Sequence, residues 1–145
     1  MLTEKQVELI QDSWSKVIPI QHLASGIFYT KLFSIDPSLR EFFPESMDEQ
    51  KKKLMTTLNV AVGGLKDIER LIPVLQKLAM RHINYGVVNE HFPTVGTALL
   101  HTLETGLGDA YTEEVATAWT TLYGIITHVM VSAMDEKRKL MEALA

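Results

Sequence analysis

Apolar residues recur at every third or fourth position along almost the whole of this chain, and Pro, Gly and capping residues cut that pattern into segments. No stretch alternates with period two, and no Asn-Gly or Asp-Gly pair offers a hairpin turn. A sequence of this kind can bury only helical stripes, so the predicted fold class is all-α. Thr3 and Gln6 form a capping-box pattern ahead of Val7, Ile10, Trp14 and Val17, with a stop near Pro19. A second helix is predicted over 21–34, carrying Ile27, Phe28, Leu32 and Phe33. Asp36-Pro37 opens a short helix toward Phe43, because Pro suits the first helical position. Ser46 with Glu49 is a second capping-box pattern, followed by Leu54, Leu58, Val62 and Leu65. Beyond Gly63-Gly64 the spacing predicts a helix from about Leu71 to Tyr85, irregular near Pro73. Asn89 is the expected cap of a helix reaching Leu107, and Thr112 with Glu113 and Glu114 is expected to begin a long final one.

There is no linker, repeat or low-complexity tract, and 145 residues make one domain, 1–145, able to enclose a core. Apolar residues are 46% and charged residues 22%, which excludes a disordered chain. The net charge is −4, and the one basic run, Lys51-Lys52-Lys53, directly follows Asp48 and Glu49. No electrostatic footprint for nucleic acid or an anionic membrane results. With no cysteine, disulfides, thiolate-bound zinc, iron–sulfur clusters, a thiolate-bound haem and a cysteine nucleophile are all excluded. Met1 to Gln6 has no signal-peptide core, and Thr120, Thr121, Gly124, Thr127 and His128 interrupt the apolar stretch Trp119–Met134. A soluble cytoplasmic protein is expected, monomeric or weakly dimeric. Ser13, Ser15 and the scattered carboxylates make no nucleophile–base constellation.

The histidines are His22, His82, His91, His101 and His128, no two of them three or four residues apart, so no helix presents a zinc-type pair. His82 stands out because Leu71, Leu75 and Leu78 precede it at helical spacing. A neutral imidazole among leucines is a good axial ligand for haem iron. It is equally the setting of a hydrogen-bonded core histidine, the commoner case, and spacing does not decide between them.

Further residues stand at fixed distances from His82. Tyr29 is followed eight residues later by Pro37 and six after that by Phe43, and Gln50 lies 32 residues before His82, with Leu54 and Leu58 following it on one helix face. Together with the text from Tyr85-Gly86-Val87 through Phe92-Pro93-Thr94-Val95-Gly96, and from Ala118-Trp119 to Leu122-Tyr123-Gly124, this set resembles the globin family over nearly the whole chain. Bacterial single-domain haemoglobins, the globin domain of flavohaemoglobins and neuroglobin share the likeness.

The resemblance implies a three-over-three helical sandwich around haem b (iron protoporphyrin IX). It implies that His82 ligates the iron and Phe43 stacks on the porphyrin, while Tyr29, Gln50 and Leu54 form the distal pocket. Lys53 would reach a haem propionate, and Phe33, Leu78, Val88, Phe92, Val95 and Tyr123 would line the pocket. For these apolar members ordinary core packing is also expected, since haem is part of a globin's core. With Gln50 in the distal position, a five-coordinate iron is expected. Bacterial relatives that flank the proximal histidine with a tyrosine and a glutamate have Phe92 and Met134 at the matching positions here, and neither completes a hydrogen-bonded triad.

The function so implied is reversible, high-affinity binding of oxygen, and of nitric oxide and carbon monoxide. An alternative is nitric oxide dioxygenation to nitrate, served by a separate reductase, because the chain has no GxGxxG motif of its own. A haem-free interaction or sensor domain on the same scaffold is the third class.

Overall fold

The structure is a computed structural model that describes residues 2–144; Met1 and Ala145, the ends of the expected 1–145 domain, lie outside it. Among the described residues six α-helices follow one another: α1 (Glu4–Val17), α2 (Gln21–Ile35), α3 (Asp48–Gly63), α4 (Ile68–Asn84), α5 (His91–Leu107) and α6 (Glu113–Leu144). Short 3-10 turns precede or follow them at Ile18–Ile20, Pro37–Phe42, Leu65–Asp67 and Gly108–Ala110, and no strand occurs among the described residues. The all-α expectation holds.

Local chemistry accounts for most boundaries. Thr3 Oγ1 accepts from the Gln6 amide at 3.0 Å while the Gln6 side chain accepts from the Thr3 amide at 3.0 Å, the capping box expected. Asp36 accepts from the Ser38 amide at the head of the Pro37 turn, and Thr112 accepts from the Val115 amide at the head of α6. Three expectations fail. Ser46 does not cap α3; Met47 stands at that position with no side-chain bond, and the Asp48 and Glu49 carboxylates at the positive end of the helix dipole are the favourable feature there. Asn89 does not cap α5, because its amide is engaged by Asp135 and Arg138 of α6. Helix α4 begins at Ile68, and Pro73 lies inside it rather than near its start. The missing Pro73 amide costs one backbone bond, to Glu69, which the packing of the flanking turns outweighs.

Two layers result, α1, α3 and α4 against α2, α5 and α6. Helix α2 lies along α5, α4 along α6, and α1 crosses α6 while touching α3 and α5. The two tryptophans mark the centre: their rings are 6.0 Å apart, Trp119 donates to Ser13 Oγ at 2.9 Å, and Trp14 donates to Asn59 Oδ1 at 2.6 Å. Each indole N–H is thereby satisfied where an unpaired one would be costly.

Helices α5 and α6 approach closely only because residue 96 has no side chain. A Cβ built on Gly96 would stand 2.6 Å from the Tyr123 ring, and that ring is fixed by its hydroxyl, which donates to the Phe92 carbonyl at 2.6 Å. Burial pushes the Tyr123 phenol up to about 12, so it stays a donor at any ordinary pH. Gly96→Ala is expected to destabilise the fold by about 1–3 kcal/mol through overpacking, despite alanine's better helix propensity. Urea denaturation checks this; an unchanged midpoint would mean that the helices separate freely.

Candidate functional site: a crevice between α3 and α4

Helices α3 and α4 are joined through Gly64 and the Leu65–Asp67 turn, yet they do not pack on each other to any extent; α3 leans on α2 and α1, and α4 on α6. Apolar residues on these helices and on the segments beside them are left half-covered. Leu54 and Leu58 on α3, Leu78 on α4, Phe43 before α3 and Val95 on α5 are all partly buried against the core. A wall of incompletely covered leucines is what a flat apolar ligand would complete.

On α4 the apolar stripe changes character toward its C-terminal end. Leu71, Leu75 and Ala79 are buried, whereas Leu78 and His82 are only half-buried. His82 therefore stands at the end of the stripe that is left half-covered. Its Nδ1 lies 2.7 Å from the Leu78 carbonyl oxygen. A carbonyl can only accept, so Nδ1 carries the proton and Nε2 keeps a free lone pair. Burial holds the imidazole below its ordinary value, the Leu78 carbonyl pulls it partly back, and Arg81 lowers it further. The ring is thus neutral at pH 7, the form that ligates a metal. Among the described residues no three His, Asp or Glu side chains converge on a metal position.

On α2 and α3, Tyr29 is buried and Gln50 donates to its hydroxyl at 3.2 Å. Burial pushes the phenol up, and the Gln50 bond offsets this in part, so the neutral form persists. Because Gln50 supplies the proton in that bond, the Tyr29 O–H remains available to another acceptor. The rings of Tyr29, Phe33 and Phe43 stand 5.5–5.9 Å apart, and Phe28 meets Tyr29 edge-on at 4.9 Å. Arg40 stiffens this corner. It donates to the carbonyls of Phe43, Pro44 and Glu45 at 2.9–3.1 Å and lies 5.6 Å above Phe33. Sequence reasoning missed Arg40, because its partners are backbone carbonyls that no spacing reveals. A surface groove between α2 and α5, lined by residues such as His22, Thr30 and His101, also reaches Tyr29 and Phe33 but contains neither Gln50 nor His82.

Of the other expected residues, Phe92 is buried and Tyr123 half-buried, both tied together by the Tyr123–Phe92 bond. Lys53 is exposed on α3. Val88 is 43% exposed, and its neighbour Val87 is the one packed against the core. Met134 is wholly buried, an apolar plug in α6. No helix is long and apolar enough to cross a membrane among the described residues.

The chemistry of the donor set fits a haem: one neutral imidazole with its second nitrogen anchored, half-covered apolar side chains, and a hydrogen-bonding Tyr29–Gln50 pair. The model of the family described as Globin matches residues 27–130. The neuroglobin of Danio rerio is 33% identical over 143 residues, spanning 89% of this chain and 90% of its own. The flavohemoprotein of Bacillus subtilis (strain 168) is 28% identical over 134 residues, 90% of this chain but only 34% of that protein. A bacterial globin from Campylobacter jejuni superposes with a TM-score of 0.79 at 25% identity, over 94% of this chain and 99% of its own. With the helical order, the crevice and these likenesses in agreement, the chain belongs to the globin family.

Proposed function

We propose that the crevice holds haem b through His82 Nε2 and that the protein reversibly binds oxygen, and the diatomics nitric oxide and carbon monoxide, on the Tyr29–Gln50 side. The observation that carries this reading is the pairing of a free imidazole nitrogen on α4 with an available phenolic proton on α2. Haem in this position supplies an iron with one coordination position left for a small ligand. The protein's own groups do the rest. His82 presents an oriented, unprotonated nitrogen, Phe43 and Leu54 exclude water, and Lys53 is long enough to reach a propionate at the crevice edge. Tyr29 directs its proton at a ligand bearing partial negative charge, while Gln50 holds the phenol oxygen in place. In a dry site such a bond reaches the ~1.5–3 kcal/mol of bonds to charged groups.

Gln50 has an amide where a histidine would give a second iron ligand, so a five-coordinate ferrous state is expected. An absorption spectrum of the reduced, ligand-free protein tests this: a high-spin spectrum is expected, and a low-spin bis-histidine one would overturn it.

A second reading, nitric oxide dioxygenation, is favoured by the match to about a third of a flavohemoprotein. The same Tyr29 proton would serve it, with a separate reductase as partner. Aerobic nitric oxide consumption separates the two. The expected result is a single turnover per ferrous protein without added reductant; sustained catalytic turnover with a reductase supplied, together with very slow oxygen release, would favour the enzyme.

A further inference from the structure

Helix α4 ends two residues after His82 in a turn of defined chemistry. Gly86 has φ +84°, the Gly86 amide donates to the Ile83 carbonyl at 3.0 Å, and the Val87 amide donates back to the His82 carbonyl at 3.0 Å. These are the two bonds of a Schellman cap, and the longer of them closes on His82 itself.

The outer side of that cap is gripped from α6. Arg138 Nη2 donates to the Val87 carbonyl at 2.7 Å and Nη1 to Asn89 Oδ1 at 3.0 Å. Asn89 Nδ2 in turn donates to Asp135 Oδ1 at 3.1 Å, which lies 3.7 Å from Arg138 Nη1. One planar guanidinium therefore spans two residues of the turn while a carboxylate on its own helix holds it in place. Val87 also packs against the core, and the Val88 amide donates to His91 Nδ1 at 3.1 Å, but Arg138 is the side chain from α6 that holds the turn's own carbonyl. Tyr85 and Val88 are exposed, and α4 and α5 do not pack on each other to any extent.

We propose that Arg138 is a positioning residue for His82. By holding the Val87 carbonyl it keeps the Schellman cap closed on the His82 carbonyl, and so fixes the backbone that carries the imidazole. The Nδ1 bond to Leu78 sets the ring's rotation; the Arg138 clamp sets where the ring is carried. This inference rests on His82 being the iron ligand.

Two measurements on Arg138→Met test it: hydrogen exchange of the 82–90 segment by mass spectrometry, and the iron–histidine stretching band of the ferrous, ligand-free protein by resonance Raman. Methionine keeps an apolar stem and removes the fork. Exchange in the 82–90 segment is expected to rise about tenfold, as for loss of one charge-assisted bond, with the α5 core unchanged. The iron–histidine band is expected to shift or broaden, and Arg138→Lys, which can still reach one carbonyl, to restore part of both effects. Unchanged exchange, or faster exchange with an unmoved band, would overturn the proposal. If Arg138→Met also loosens α5, Arg138→Gln takes its place, since it removes the guanidinium fork that holds the Val87 carbonyl while keeping a polar side chain on α6; the same two outcomes then decide. Failure of the ligand assignment looks different: the iron–histidine band would be absent from the unmutated protein or would persist in His82→Ala, while exchange would still report the clamp.

Discussion

His82→Ala is expected to yield a folded helical protein that takes up no haem, with the Soret band lost after haem is supplied. The fold should survive because the imidazole is only half-buried and makes one hydrogen bond. The Leu78 carbonyl that it leaves behind still accepts the backbone amide four residues on, as in any helix turn. Losing such a side-chain bond costs about 0.5–1.5 kcal/mol, and the buried α4 positions Leu71, Leu75 and Ala79 are untouched. Far-ultraviolet circular dichroism of the haem-free proteins should therefore be alike.

What disappears is the linkage between ligand and fold. A group that binds only the native state at a thousand times its dissociation constant adds about 4 kcal/mol of stability. Haem addition should raise the melting temperature of the unmutated protein by many degrees and that of His82→Ala by little. His82→Gly with imidazole added to the buffer should recover the band, because it restores the lone pair without the backbone link. A Soret band of ordinary intensity in His82→Ala would remove His82 from the role and favour another of the five histidines.

The physics that makes a feature legible in sequence is local periodicity, and the outcome followed that line. Helix order, the Thr3 capping box and the Asp36 and Thr112 caps depend on residues within a turn of each other, and all are present. Ser46 and Asn89 have the right residue types for caps, yet neither caps its helix: nothing in the structure explains Ser46, whereas Asn89 is drawn to α6 by Asp135 and Arg138, residues more than forty positions away. The apolar spacing placed the start of α4 near Leu71, whereas the helix begins at Ile68 and runs through Pro73. At the site, Tyr29 and Gln50 were named from their places in a family pattern, yet that one donates to the other could be seen only in three dimensions. Arg40 and Arg138 escaped notice for one reason: each grips main-chain carbonyls, which every residue possesses, so no motif marks them. Gly96 likewise reads as a poor helix residue until the Tyr123 ring is seen against it.

Tyr29→Phe is expected to speed oxygen dissociation by about tenfold or more, the rate equivalent of ~1.4 kcal/mol, while leaving the fold and the association rate nearly unchanged. Phenylalanine keeps the ring against Phe28 and Phe43, at 4.9 and 5.6 Å, so the aromatic corner should repack without a cavity. Only the proton is removed, and a group that stabilises the bound state acts chiefly on the off-rate. Gln50→Leu should have a smaller effect, because the phenol would keep its own proton and lose only the neighbour that orients it. In the double variant the two losses should not add, since residues in one hydrogen-bonded network couple by about 0.5–3 kcal/mol. The sign of that coupling is informative. If Gln50 acts by orienting Tyr29, its removal should matter little once the phenol is gone. If the amide instead turns to the ligand when the phenol is absent, the double variant should release oxygen much faster than Tyr29→Phe alone. Stopped-flow replacement of oxygen by carbon monoxide measures all three variants, and an unchanged off-rate in Tyr29→Phe would leave the buried phenol with a purely structural part.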